Sequence, residues 1–201
     1  MSFSLNIFVI LNIIVKQWKN ERVLKKIGQF LGLINRHKYE ASEYNAERSC
    51  YNFRTRNMLF SEVKGYFKEA EVKGVFDAYN LEYSYITVIW PVGGIKTGIV
   101  ERDQQLIEAS QFFFQEKFPK IIFKTTAIKA HKRNQVIISG VLKIKDIEKE
   151  ISLLASYKED NLGYIILVDY ELDRFDFRVG ESDSFTIGRE VRLQLDIAFN
   201  Y

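Results

Sequence analysis

From residue 38 onward, apolar and polar residues alternate with a period of two, the signature of strands with one buried face. Tyr51, Phe53 and Thr55 alternate with Asn52, Arg54 and Arg56. Further sets are Val63-Gly65-Phe67, Val72-Gly74-Phe76 and Ile86-Val88-Trp90. Later sets begin at Ile121, Val136, Ile151, Tyr164 and Val191, the last reaching Phe199. That makes about nine strand candidates separated by short polar breaks, which predicts an all-β sandwich or barrel with antiparallel, up-and-down connections. Gly65, Gly74 and Gly140 fall on the buried side, where we expect sharp strand curvature or cavity space.

One segment breaks the period. Leu106, Ala109 and Phe113 recur at helical spacing, with Glu101 and Asp103 near the start, where negative charge favours a helix N-terminus. This predicts a short helix over 101–116. Pro119 cannot continue it, and the period returns to two from Lys120. On that strand Ile121, Phe123, Thr125 and Ala127 share one side, while Ile122 and Ile128 spoil the alternation.

Residues 1–36 differ again. An apolar run, Phe3 to Val15, precedes Lys16, Lys19, Arg22, Lys25 and Lys26, and Leu24, Ile27, Leu31 and Ile34 share a helical face. A cleaved signal peptide has its positive charge before the apolar run, not after it. A transmembrane helix needs roughly 20 apolar residues. A basic amphipathic helix on a membrane surface, through residues 3–35, fits the pattern. A helix packed on the domain, an extension of little consequence and an atypical export signal stay open beside it. We therefore expect two parts: an N-terminal helical extension (1–36) and a β-domain (38–200).

The 201 residues are 47% hydrophobic, enough for one domain with a substantial core. The net charge of +3, with scattered lysines, does not call for a nucleic-acid partner. Cys50 is the single cysteine, so no intrachain disulfide forms, and a small inert strand residue is expected there. His37 and His131 lack companions at metal-ligand or triad spacing, and no phosphate-binding glycine loop is present. No catalytic residue, metal or cofactor is expected, and the chain is not expected to be an enzyme.

Several blocks recur in a recognisable order. Asn57 to Gly65 with Phe67 leads to Gly74–Asp77. Ile95-Lys96-Thr97-Gly98 is followed by Arg102-Asp103, Leu106, Phe113-Phe114, Phe118-Pro119 and Phe123-Lys124. Gly140, Leu142, the run Leu172-Asp173-Arg174-Phe175-Asp176-Phe177 and Ile187-Gly188 with Val191 complete the series. Over roughly residues 38–200 this resembles the YceI-like polyisoprenoid-binding proteins. The resemblance implies a lipocalin-like fold: an antiparallel up-and-down β-barrel of about eight strands with one inserted short helix. It also implies binding and transport of an isoprenoid, such as an isoprenoid quinone, or a similar amphiphilic lipid, in a periplasmic or other extracytoplasmic setting. Two departures stand out. The charged Lys143-Ile144-Lys145-Asp146 replaces a threonine- and glycine-bearing turn, and Arg178 stands where the family has glycine.

If the barrel holds a lipid, its wall is expected to include Phe53, Phe67, Phe76, Val88, Ile121, Phe123, Ile138, Leu142, Leu153, Ile166 and Leu195, the inward member of each alternating set. Arg102, Asp103, Arg174 and Asp176 are expected to form structural ion pairs, Arg174 with Asp103 or Asp176, rather than to catalyse. An eight-stranded barrel is just wide enough to be filled by its own side chains or to hold one small ligand. A ligand-free interaction or stress-protection module with a solid core is therefore the alternative. Homodimerisation is compatible with the pattern and not required by it.

Overall fold

The alternating segments form strands because each places β-branched and aromatic residues on one face, where they pack against the opposite wall. The computed structural model describes residues 43–57, 61–180 and 187–201. The N-terminal segment expected to contact a membrane lies outside the described residues. The strands are β1 (Glu43–Asn57), β2 (Ser61–Phe67), β3 (Glu71–Val75), β4 (Tyr85–Pro91), β5 (Ile95–Lys96), β6 (Lys120–Ala130), β7 (Gln135–Ile144), β8 (Ile147–Asp160), β9 (Gly163–Asp173) and β10 (Ile187–Asn200). A single described α-helix, α1 (Val100–Glu108), follows β5. Alternation is cleanest in β7, where Val136, Ile138, Gly140, Leu142 and Ile144 are all buried.

All the pairings are antiparallel, in the order β3-β4-β6-β7-β8-β9-β10-β1-β2-β5. The ends of this series meet through the chain itself. β2 runs into β3 through residues 68–70, and β4 runs into β5 through a 3-10 turn at Val92–Gly94. β3 pairs with β4 and β2 with β5, and Lys68 N–H donates to the Gly94 carbonyl at 2.8 Å between the two ladders. Counting β2–β3 and β4–β5 as two bent strands, the ten segments make an eight-stranded lipocalin-like barrel.

Two local differences from the sequence reading have physical causes. The helix ends at Glu108 rather than near 116. Three consecutive aromatics, Phe112 to Phe114, cannot share one helical face. The chain instead folds back on α1, with Phe113 N–H donating to Leu106 and Gln115 N–H to Ile107. Phe112 and Phe113 thereby face the barrel. In β6 the register slips between Thr125 and Ala127, a bulge that turns Ile128 inward to 5% exposure.

The buried-side glycines mark close approaches rather than empty space. A Cβ on Gly140 would lie 2.5 Å from the Lys124 carbonyl and 2.6 Å from the Phe123 ring. One on Gly65 would clash with the Phe53 ring and lie 2.7 Å from the Lys96 carbonyl. At both positions a cross-strand phenylalanine covers the glycine.

The barrel has two different ends. Where the β6–β7 and β8–β9 hairpins turn, rings fill the interior: Phe76 packs on Tyr157 and Tyr164, each at 5.4 Å, and Tyr164 on Tyr201 at 5.5 Å. Ile166 and Phe199 are fully buried there. The opposite end carries α1, the Phe112–Phe113 segment and a 3-10 turn at Arg174–Phe177.

Candidate functional site

Above the aromatic plug the inward side chains do not meet. They enclose a cavity of about 370 Å³, within the range of small-molecule sites. Phe53 and Phe67 line it from β1 and β2, Val88 from β4, and Ile121 and Phe123 from β6. Ile138 and Leu142 line it from β7, Leu153 from β8 and Leu195 from β10. Phe76 and Ile166, expected in this wall, belong instead to the closed end. A period of two assigns a side chain to a face; it carries no information about height along the barrel axis. Trp90, Ile86, Ile144, Val168 and Leu172 also line the cavity from the same alternating faces. Leu106, Phe112 and Phe113 cover it from above, a role foreshadowed only by the apolar face of the helix.

The polar groups of the wall are few: Thr55, Thr97, Arg102, Gln105, Tyr170 and Arg174. Two of them belong to a cluster that fixes α1 over the barrel. The buried Asp103 carboxylate accepts the Thr97 N–H at 2.8 Å and the Thr97 hydroxyl at 2.5 Å. Arg102 Nε donates back to Thr97 Oγ1 at 2.8 Å, and its Nη2 to the Thr97 carbonyl at 2.9 Å. Ile99, the N-cap, has no capping side chain of its own, so Asp103 and Thr97 tie down this end of the helix.

Arg174 corrects an expectation. Rather than pairing with Asp103 or Asp176, its buried guanidinium donates to three backbone carbonyls: Val179 at 2.6 Å, Gly188 at 2.9 Å and Ile187 at 2.9 Å. It also stacks on Phe175, 4.2 Å from the ring centroid. Its burial pulls its pKa down, opposed by Asp173. Residues 174–177 form a 3-10 turn that ends the strand periodicity of β9. Asp176 pairs with Lys149 at 2.6 Å, and Arg102 and Asp103 communicate through Thr97 rather than as a direct pair.

The two departures from the family pattern meet in space. Lys145 and Arg178 both adopt left-handed backbone, φ 56° and 50°, the region that favours glycine. Lys145 Nζ donates to the Arg178 carbonyl at 3.2 Å and to the Ser110 carbonyl at 3.0 Å. Lys145, next to the Asp146 that stands for the turn glycine, thus supports the backbone at the second departure. Burial lowers the Lys145 pKa. Cys50, expected as a small inert strand residue, lies on β1 and is exposed, and partial desolvation with the nearby Asp196 raises its thiol pKa.

A model of the YceI-like domain family matches residues 43–199. Protein YceI of Salmonella newport is 27% identical over 119 residues, 57% of this chain and 61% of that protein. The chain thus spans about three fifths of the length of the curated relatives it matches. Among solved structures, Burkholderia cenocepacia BcnA superposes with a TM-score of 0.72 at 16% identity, covering 77% of this chain and 98% of that one. A polyisoprenoid binding domain from Saccharophagus degradans, implicated in plant cell wall breakdown, superposes with a TM-score of 0.63 at 10% identity, covering 81% of this chain and 99% of that one. With the family match spanning most of the chain and the same barrel recurring in these structures, the chain belongs to the YceI-like domain family.

Proposed function

We propose that this chain binds and carries an isoprenoid or similar amphiphilic lipid inside its barrel, and that it acts as a carrier rather than a catalyst. The observation that carries this reading is the cavity itself: about 370 Å³ walled almost wholly by aliphatic and aromatic side chains beneath a lid of Leu106, Phe112 and Phe113. Apolar cavities stay dry and take apolar guests. Each buried CH₂ contributes about 0.8 kcal/mol, so a greasy chain gains affinity without a specific polar site. The open interior weighs against the solid-barrel alternative. The Saccharophagus degradans neighbour, a polyisoprenoid binding domain of the same fold, supports the choice of ligand class. The test is native mass spectrometry of the purified full-length protein, which should carry a lipid adduct of several hundred daltons. Phe123→Asp places an unpartnered carboxylate in the wall and should abolish the adduct, with circular dichroism confirming the fold. A folded Phe123→Asp protein holding lipid at the wild-type level would overturn the proposal.

A further inference from the structure

The outer surface of the closed end sets an aromatic loop beside a basic hairpin. Tyr79, Tyr83 and Tyr85 fall within seven consecutive residues and are 71%, 77% and 54% exposed. Apolar residues scattered singly over a surface are ordinary; a cluster of rings is not. The loop holds these rings outward. The Asp77 carboxylate accepts the Tyr79 N–H at 2.8 Å, and the Ser84 hydroxyl accepts the Asp77 N–H at 2.8 Å. Its 3-10 turn, Leu81–Tyr83, packs beside β6, and just after it the Ile86 N–H donates to the Thr125 hydroxyl at 3.0 Å. From there β6 runs into the β6–β7 hairpin, where Lys129, His131, Lys132 and Arg133 are all exposed. Among the described residues Lys129, Lys132 and Arg133 form no ion pair, whereas Lys73 and Lys143 pair with Glu71 and Glu148. Glu82 is the one acid in these two segments.

We propose that this end of the barrel docks on the surface of an anionic lipid bilayer. A tyrosine ring has an apolar body and a polar tip, a combination that settles where acyl chains meet headgroups. Lysine and arginine beside it reach the lipid phosphates, which supply the countercharge that the protein does not. The covalent path of the chain points the same way. β1 begins at this end, with Glu43 opposite Asn200. The sequence that precedes it holds the apolar run Phe3 to Val15 and the basic residues between Lys16 and Lys26. The lid of Leu106, Phe112 and Phe113 belongs to the opposite end, so a docked barrel turns that end to water. The inference goes beyond the carrier reading and does not depend on what the cavity holds.

The full chain is mixed with vesicles of phosphatidylcholine, alone or with phosphatidylglycerol, and binding is read by co-sedimentation. It should bind the anionic vesicles and leave them as salt rises. Each cation at such a surface contributes about fivefold, so the double variant Lys132→Gln, Arg133→Gln should bind about 25-fold more weakly. Tyr83→Ser should also weaken binding, with the salt dependence unchanged. Circular dichroism confirms the fold of both variants. Position is read with a nitroxide on His131→Cys in a Cys50→Ser chain. Vesicles should shield it from a water-soluble nickel chelate, and should leave a nitroxide on Val100→Cys, at the lid end, open to the chelate. Equal binding to both kinds of vesicle, unchanged binding in either variant, or a nitroxide at position 131 that stays in water would each overturn the inference. So would failure to bind anionic vesicles, and retention on polyglutamate would then assign this face to an acidic protein. A chain that docks but carries no lipid adduct would sink the carrier reading and leave this inference standing.

Discussion

Replacing Arg174 by alanine should destabilise the barrel more than its position in a short surface turn suggests. Arg174 is 5% exposed, and its guanidinium donates to three carbonyls, those of Val179, Ile187 and Gly188. Charge-assisted hydrogen bonds contribute about 1.5–3 kcal/mol each, so three give a gross figure of about 4.5–9 kcal/mol. Against this, removing a buried charge returns its desolvation cost, which amounts to several kcal/mol. A net loss of about 3 kcal/mol follows, a large share of the roughly 5–15 kcal/mol that holds a typical domain together. At a urea slope of about 2 kcal/mol per molar, the unfolding midpoint should fall by about 1.5 M. Arg174→Lys keeps the charge but not the planar fork, and should recover part of the loss. An Arg174→Ala midpoint within about 0.3 M of wild type at unchanged slope would refute the reasoning, because the three bonds would then contribute no net stability.

Gly140→Val should cost about 1–3 kcal/mol through overpacking, since its Cβ would sit 2.6 Å from the Phe123 ring and 2.5 Å from the Lys124 carbonyl; thermal unfolding at or above the wild-type midpoint would contradict it. Tyr201 supplies a pH dependence. Burial, reinforced by its hydrogen bond to Glu159, raises its pKa from 10.0 to about 12. The unfolded chain therefore loses this proton before the folded one does, and stability that is full below about pH 10 should decline towards pH 12. Tyr201→Phe should show a shallower decline in urea midpoint between pH 9 and pH 11, and an unchanged decline would count against this assignment.

The strand faces were legible because period-two alternation is a local signal, and β7 obeys it without exception from Val136 to Ile144. Height within the barrel was not legible. Phe76, the residue after β3, and Phe123 on β6 are both the inward member of an alternating set, yet one plugs the closed end and the other lines the cavity. The bulge that turns Ile128 inward showed in the sequence only as a break in the alternation, with nothing to say that an inserted residue caused it. The block Thr97-Gly98…Arg102-Asp103 was recognisable as a pattern, but its logic, two charged side chains converging on one threonine, appears only once α1 is folded back on β5. Arg174 misled for a related reason. Charged residues suggest charged partners, whereas this one serves backbone carbonyls from a turn that strand periodicity does not describe.

Closure of the barrel has a consequence for how the protein comes to be folded. The last ladder of the ring joins β1 to β10, with Glu43 opposite Asn200. Residues 187–200 are made after every other strand, so β1 has no partner on that side while the rest of the domain is already on the ribosome. Pairing of such distant segments carries a loop-closure penalty that local contacts cannot offset in advance. In that interval the apolar faces later sealed around the cavity are open to solvent, together with the bare edges of β1 and β9. Open strand edges beside greasy surface are the features on which nascent chains associate with one another. The same geometry that hides a lipid in the finished barrel therefore leaves the growing chain exposed until its final strand is in place.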